Sequence, residues 1–218
     1  MKRPWFQPLY FDNIDLSTVA LTNSANRFQA MLNFCQQYFG DDLSEKTFTD
    51  LGCSIGYFMK QMSNHCKDVS GVESNSEFIR ISKMLLPEIS EKIIHGNIFT
   101  TVAELPISNI FSCLNVIDSI RLGSFDIFPD QNDELITLKT IDEKTEDVFF
   151  FQMIQQVQDD DEVATFLLDN TSFKFCKSIF TSKPKIIVDN SLTKDEEVIE
   201  ENMAKFVNTL FALYRREV

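Results

Sequence analysis

The sequence predicts an α/β protein with a mostly parallel seven-stranded sheet, helices on both faces and one antiparallel strand near the C-terminal edge. The first observation is that short apolar segments, rich in β-branched and aromatic residues, alternate with segments of helical apolar spacing. Strands separated by helices favour a parallel sheet. The second observation is the short connection around Pro184, which leaves no room for a crossover helix, so the last two predicted strands should pair antiparallel.

The first predicted element is a helix over residues 24–39. Asn23 or Ser24 can cap its start, and Gly40 stands where a left-handed glycine commonly ends a helix. One face of this helix is apolar and is formed by Phe28, Met31, Leu32, Cys35 and Phe39. The helix should therefore cover one face of the sheet.

The alternation of strands and helices begins after this helix. Strands are predicted over residues 47–51, 69–72, 92–95, 109–114, 148–153, 173–181 and 185–188. Helices are predicted over residues 57–66, 75–86, 134–144 and 161–168. Ser74 or Asn75 can cap the second of these, and Pro87 ends it.

The C-terminal segment from Thr193 onward predicts an amphipathic helix. Thr193 and Glu196 form a capping-box pattern. Apolar side chains then recur at helical spacing, at Ile199, Met203, Phe206, Leu210 and Tyr214. The apolar face should either cover the sheet or contact a second copy of the chain in a homodimer. The predicted organisation is an N-terminal arm and helix (1–44), an α/β domain (45–190) and this helix (191–218).

Composition narrows the class of protein. The net charge is −13, with 33 acidic against 20 basic residues, which disfavours a nucleic-acid substrate. No apolar run is long enough to span a bilayer, and the N-terminus does not resemble a signal peptide. The five cysteines form no CxxC pair, which favours a reducing, cytoplasmic location and gives no metal-ligand set.

The segment DLGCSIG, from Asp50 to Gly56, carries the main functional signal. The chain has only 6 glycines, and four of them (Gly52, Gly56, Gly71 and Gly96) fall at or beside the ends of the first three predicted strands. In open α/β sheets, ligands bind beyond the carboxyl ends of the strands. Glycine there lets the backbone approach a ligand and adopt positive φ.

Two kinds of ligand compete for this turn. A nicotinamide fingerprint requires glycine at positions 52, 54 and 57, but Ser54 and Tyr57 break it. The alternative pattern, D-x-G-x-x-x-G, suits a nucleoside with an amino-acid arm. Asp50 can accept a hydrogen bond from the ammonium group of that arm, directly or through water. Glu73 ends the second predicted strand, 21 residues after Gly52, where a carboxylate can accept hydrogen bonds from both ribose hydroxyls.

The chain resembles a class I S-adenosylmethionine-dependent methyltransferase over about residues 45–190, specifically at DLGCSIG and GVES and more weakly at HGNI and CLNVID. The resemblance implies S-adenosyl-L-methionine as cofactor, with Glu73 on the ribose and Asn97 on the adenine, where the family usually carries Asp. Leu114 and Asn115 would flank the methionine part. The full set of expected cofactor-binding residues is Asp50, Gly52, Cys53, Ser54, Gly56, Tyr57, Glu73, Ser74, Asn97, Ile98, Leu114 and Asn115.

The expected activity is methyl transfer to an oxygen or nitrogen of a small-molecule metabolite. Asp118 lies just past the fourth predicted strand, where family members carry residues facing the acceptor, and is the candidate catalytic acid or base. Its alternative role is a helix N-terminal acid. The N-terminal aromatic residues could form a lid or simply pack on the domain. Alternative functions are an RNA- or protein-modifying methyltransferase, or a cofactor-binding protein without turnover.

Overall fold

The computed structural model describes residues 19–114, 131–156, 160–181, 185–186 and 205–217 of the 218-residue chain. The strands are β1 (Thr47–Leu51), β2 (Asp68–Glu73), β3 (Ile93–His95), β4 (Ser108–Leu114), β5 (Thr145–Gln156), β6 (Phe175–Thr181), β7 (Lys185–Ile186) and β8 (Lys205–Tyr214). The helices are α1 (Val19–Phe39), α2 (Tyr57–Met62), α3 (Ser76–Leu85), α4 (Pro87–Ser90), α5 (Ile98–Thr101), α6 (Gln131–Lys144) and α7 (Asp160–Asp169).

The described strands form one sheet in the order β3-β2-β1-β4-β5-β8-β6, with the two-residue strand β7 paired to β8. The pairs among β3, β2, β1, β4 and β5 are parallel. Strand β8 runs antiparallel to both β5 and β6, so it is the reversed strand of this path. The predicted fold class, a mostly parallel sheet with one reversed strand near the C-terminal edge, is confirmed.

The identity of the reversed strand corrects two predictions. The C-terminal segment is not helical over residues 205–214, where it forms β8. Strands β6 and β7 do not pair with each other, and each pairs with β8 instead. The physical reason lies in the four consecutive residues 210–213, which are all buried. A strand covered on both faces reads as a continuous apolar run, so helical spacing within it was coincidental.

Strand β8 lies between β5 and β6, so its residues belong to the sheet rather than to an appended helix. The predicted dimer contact through a C-terminal helix therefore has no helix to use over residues 205–214. The capping-box residues Thr193 and Glu196 lie outside the described residues.

Helix α1 begins at Val19 rather than at residue 24, so Asn23 and Ser24 lie inside the helix and do not cap it. Gly40 follows its last residue with φ +58°, as the left-handed end predicts. Asn75 caps α3 as predicted, since its Oδ1 accepts a hydrogen bond from the Glu77 backbone N–H at 2.9 Å. The four-residue helix α5 is too short to show an apolar period, and the sequence did not predict it.

Side chains alternate between two core layers, one on each face of the sheet. Along β5, Val148 and Phe150 pack with α1 and α2, whereas Phe149 and Phe151 pack with α5, α6 and α7. All four side chains are fully buried. The sheet is therefore covered by helices on both faces, and in β1 Phe48 belongs to the α1-facing layer whereas Leu51 belongs to the other.

Candidate functional site

The turn between β1 and α2 has an unusual backbone. Gly52, Ser54 and Gly56 have φ values of +73°, +54° and +85°. The backbone N–H groups of Gly52 and Cys53 both donate to the carbonyl of Val72, at 2.8 and 3.0 Å. The turn therefore curls over the end of β2 and places tightly folded backbone beyond the carboxyl ends of both strands.

Close packing requires glycine at two positions, and at one of them, Gly56, the positive φ requires it as well. A Cβ on Gly56 would lie 2.7 Å from Ile89 Cγ2. A Cβ on Gly71, in β2, would lie 2.5 Å from Met59 Sδ and 2.9 Å from Cys53 Sγ. The glycines let the turn, the first helix after it and the second strand pack without space between them.

Glu73 ends β2 and connects the turns that follow the first two strands. Its Oε2 accepts a hydrogen bond from the Ser54 N–H at 2.8 Å, and its Oε1 accepts one from the Asn75 N–H at 2.7 Å. The residue is buried, with 6% of its surface exposed. Each carboxylate oxygen can accept more than one hydrogen bond, so this arrangement orients Glu73 without exhausting its acceptor capacity.

Asp50 lies on β1 beside Gly71 and Ser112 of the neighbouring strands. Because side chains alternate along a strand, Asp50 and Glu73 lie on the same face of the sheet. The Ser112 hydroxyl donates to Asp50 Oδ1 at 2.6 Å. Burial raises the pKa of Asp50 to about 7, and the nearby Glu73 carboxylate adds to this rise. The Ser112 hydrogen bond and the positive charge of Arg27 act in the opposite direction and lower the pKa.

Arg27 of α1 extends to this site, although it was not predicted from the sequence as a site residue. Its Nη1 donates to Gln152 Oε1 of β5 at 2.7 Å, and its guanidinium carbon lies 5.9 Å from the centroid of the Phe58 ring. Burial lowers the pKa of Arg27, and the Asp50 charge opposes that shift. The available signal was that Arg27 is the one charged residue in the sequence of α1.

Ser112 and Gln152 were likewise not predicted from the sequence as site residues. Ser112 has no signal of its own, because a serine in an apolar strand gains its role only from the strand beside it. Gln152 is the polar residue that interrupts the apolar run of β5, and its side chain is fully buried. A polar residue near the end of the apolar strand predicted over residues 148–153 was therefore a usable signal.

Other predicted site residues lie at the same edge of the sheet. Asn97 follows β3 and caps α5, since its Oδ1 accepts from the Phe99 N–H at 3.0 Å. Ser74 follows β2, and its carbonyl oxygen lies 3.2 Å from His95 Nε2. Ile98 is buried, and the half-buried Leu114 ends β4. Their contact with a ligand stays a prediction.

The remaining predicted residues differ in what the structure says of them. Cys53 is buried in the turn, and burial raises the pKa of its thiol. Tyr57 is half-buried and packs edge-on against Phe58, with ring centroids 5.6 Å apart. Asn115, Asp118 and the N-terminal aromatic residues lie outside the described residues.

No helix among the described residues has the length and apolar character needed to cross a membrane.

Several solved structures with a similar fold are described as methyltransferases. A methyltransferase from Archaeoglobus fulgidus matches with a TM-score of 0.53 and 14% identity, covering 89% of this chain and 100% of that chain. The N-methyltransferase NodS from Bradyrhizobium japonicum matches with a TM-score of 0.54 and 11% identity, covering 88% and 97%. A putative RNA methyltransferase from Pyrococcus horikoshii matches with a TM-score of 0.55 and 14% identity, covering 89% and 84%.

No model of a known protein family matches the sequence, and no curated protein matches it. At such low identities, likeness to solved structures establishes architecture and leaves the reaction to the residues of the site. The strand order, the reversed strand and these structural neighbours together establish that this chain has the class I S-adenosylmethionine-dependent methyltransferase fold.

Proposed function

We propose that this protein is an S-adenosylmethionine-dependent methyltransferase that acts on an oxygen or nitrogen of a small-molecule metabolite. One observation carries the proposal: Asp50 and Glu73 lie on one face of the sheet, on either side of a turn with three positive φ values. Both carboxyl groups are buried, with 3% and 6% of each residue exposed. Buried acids at the ligand-binding edge of an α/β sheet are typical of a functional site.

The residues present fit this cofactor. The Glu73 carboxylate, fixed by two backbone N–H groups, can accept hydrogen bonds from the two ribose hydroxyls. Asp50 can accept a hydrogen bond from the ammonium group of the methyl donor, and that positive charge favours the ionised form of Asp50. The Gly52–Gly56 backbone can approach the donor closely. A nicotinamide cofactor fits less well, because its pyrophosphate would face two carboxylates at a turn that lacks the glycine fingerprint.

The bound cofactor supplies an activated methyl group on a sulfonium. The chain then has to bind both partners, align the acceptor with that methyl and exclude water. Asp118 is the proposed acceptor-side residue, in the segment that follows β4, where it would accept a proton from the acceptor or orient it. This role rests on its position in the sequence.

The small-molecule acceptor is supported by charge. A net charge of −13 disfavours a polyanionic substrate, whose binding normally uses clustered Lys and Arg. The structural neighbours include both a putative RNA methyltransferase and an N-methyltransferase, so the fold is compatible with either kind of acceptor. The five free cysteines support a reducing, cytoplasmic location.

Calorimetry with S-adenosylmethionine, S-adenosylhomocysteine and NADH tests the cofactor. We expect the first two to bind the wild type and Glu73→Ala to lose most of this affinity. Glu77→Ala is the matched control, because Glu77 is an exposed acid on the next helix, paired with Arg80. NADH binding without a response to the methyl donor would overturn the proposal.

A turnover assay tests the acceptor class. Purified protein is incubated with methyl-labelled donor and separate pools of metabolites, RNA and protein, and label transfer is counted in each. Transfer to the metabolite pool is the expected result. Label in RNA or protein would replace the acceptor class, and donor binding without any transfer would support a cofactor-binding role without turnover.

A further inference from the structure

Helix α1 carries one charged residue in 21, and that residue is placed at the site rather than in solvent. Arg27 is partly buried, and burial of a cation is costly unless a partner compensates it. A residue whose only task was solubility would lie on the exposed face of the helix. Its position therefore calls for a role at the edge of the sheet where β1 and β4 end.

Two contacts fix the position of the Arg27 guanidinium. It donates to Gln152 Oε1 at 2.7 Å, and it lies over the Phe58 ring at 5.9 Å. Gln152 pairs in register with Leu114, the last residue of β4. Phe58 is the second residue of α2, directly after the glycine turn. The cation therefore lies between the carboxyl end of β4, the neighbouring part of β5 and the start of α2.

Asp50 and Arg27 share one face of the sheet. Phe48 and Phe150 both belong to the core layer beneath α1, and Asp50 and Gln152 each follow one of them by two residues. Alternation along the strands then puts Asp50 and Gln152 on that same face. The Asp50 and Arg27 charges also act on each other, which places them within electrostatic range.

The charges of the donor's amino-acid arm match this pair. Its ammonium and carboxylate sit on one carbon, so the groups that bind them must be close neighbours of opposite sign. Asp50 can take the ammonium, but a carboxylate brought to the same place would be repelled by both Asp50 and Glu73. Arginine is suited to such a carboxylate, because its planar guanidinium donates two parallel hydrogen bonds.

We propose that Arg27 binds the carboxylate of the donor's amino-acid arm, with Gln152 holding the guanidinium in place and Asp50 binding the adjacent ammonium. This inference rests on the proposed function and deepens it. On this proposal, α1 lines the cofactor site and contributes a binding residue in addition to its apolar packing against the sheet. A competing role is purely structural, in which Arg27 only anchors α1 to β5 and neutralises Asp50.

Two ligands that differ by one carboxylate separate these roles. Calorimetry compares S-adenosylmethionine with decarboxylated S-adenosylmethionine on the full chain, for the wild type, Arg27→Lys and Arg27→Gln. We expect Arg27→Gln to lower the affinity for S-adenosylmethionine about tenfold or more and the affinity for the decarboxylated ligand much less. The reason is that only S-adenosylmethionine has the carboxylate that forms a charge-assisted bidentate pair with Arg27. Arg27→Lys should fall between, since a lysine retains the charge but not the fork.

Lys60→Gln is the matched control. It removes one positive charge from the neighbouring helix α2, where Lys60 pairs with Glu88 at 2.7 Å, and it should leave the ratio of the two affinities unchanged. Thermal melting of each variant confirms that it is folded. Equal weakening of both ligands by Arg27→Gln, or no weakening, would overturn the inference and assign Arg27 the structural role. A wild type that binds neither ligand would instead overturn the proposed function, and this inference with it.

Discussion

Ser112 of β4 donates its hydroxyl to Asp50 of β1 across 2.6 Å, and both residues are buried beneath α1. The hydrogen bond favours the ionised form of Asp50, but burial favours the neutral form more strongly, and the pKa of Asp50 is raised to about 7. The acid is therefore poised between its two forms near neutral pH. Two predictions follow from this balance.

Asp50→Asn should change how stability depends on pH. The folded wild type retains a proton on Asp50 from about pH 4 to about pH 7, a range in which the unfolded chain has lost it. Stability from this group is thus present at low pH and is lost as pH rises through the folded pKa of about 7. The free energy of unfolding of the variant should therefore increase relative to that of the wild type as pH rises, by at most about 1.4 kcal/mol per pH unit.

Urea unfolding of both proteins at pH 5, 6, 7 and 8, without ligand, measures this difference. The Asn side chain can still accept the Ser112 hydrogen bond, so the comparison isolates the titration. Parallel curves for the two proteins would show that Asp50 is already ionised throughout this range.

Ser112→Ala should weaken donor binding in a pH-dependent way. Loss of the hydroxyl removes a hydrogen bond that lowers the pKa of Asp50, so the pKa rises further and less carboxylate is available at pH 7. We expect weaker S-adenosylmethionine binding than in the wild type at pH 7, and convergence of the two affinities towards pH 9. Calorimetry across this range provides the measurement. A constant deficit at every pH would point to lost shape rather than altered ionisation.

Gly56→Ala should cost more stability than Gly40→Ala. Both glycines have positive φ, at +85° and +58°, so each substitution strains the backbone by about 1 kcal/mol or more. Only at Gly56 would the new Cβ also meet a neighbour, 2.7 Å from Ile89 Cγ2, whereas at Gly40 nothing lies within 4 Å. Overpacking adds about 1–3 kcal/mol.

Denaturant midpoints of the two glycine variants test this difference. Only Gly56→Ala should also weaken donor binding, because it alone disturbs the turn. Equal losses of stability at both positions would mean that Ile89 moves aside without cost.

Arg215→Ala should destabilise the fold strongly, by about 2–4 kcal/mol, because Arg215 anchors the end of β8. Its Nη2 donates to Asp142 Oδ1 and to the Thr145 carbonyl, each at 2.9 Å, and its guanidinium stacks over Phe173 at 4.4 Å. Arg80→Ala is the control, since the Arg80–Glu77 pair is exposed to solvent and should contribute little to stability. Urea unfolding compares the two, and similar losses would contradict an anchoring role.

Much of the sheet could be predicted because its signals are local. Strand β1 has the predicted bounds, and the glycines at positions 52 and 56 have the left-handed φ that their spacing indicates. A turn of this kind depends on the φ range of its own residues, so a few consecutive letters suffice to predict it. The position of Glu73 could be predicted in the same way, because Glu73 ends the strand that follows β1 in the sequence and pairs with it in the sheet.

The C-terminal strand and the full membership of the site could not be predicted in this way. Residues 206, 210 and 214 have helical spacing, and only the slot between β5 and β6 turns this segment into a strand buried on both faces. Ser112 and Arg27 gain their roles from partners far away in the sequence, on other elements.

By itself, then, the sequence determined the class of fold, the glycine turn and the two acids beside it, because backbone conformation and apolar period are properties of neighbouring residues. Only the tertiary structure decided which strand is reversed and which cation faces Asp50. Strand pairing and charge compensation depend on groups that are distant in the chain and meet only when the sheet and α1 have packed together.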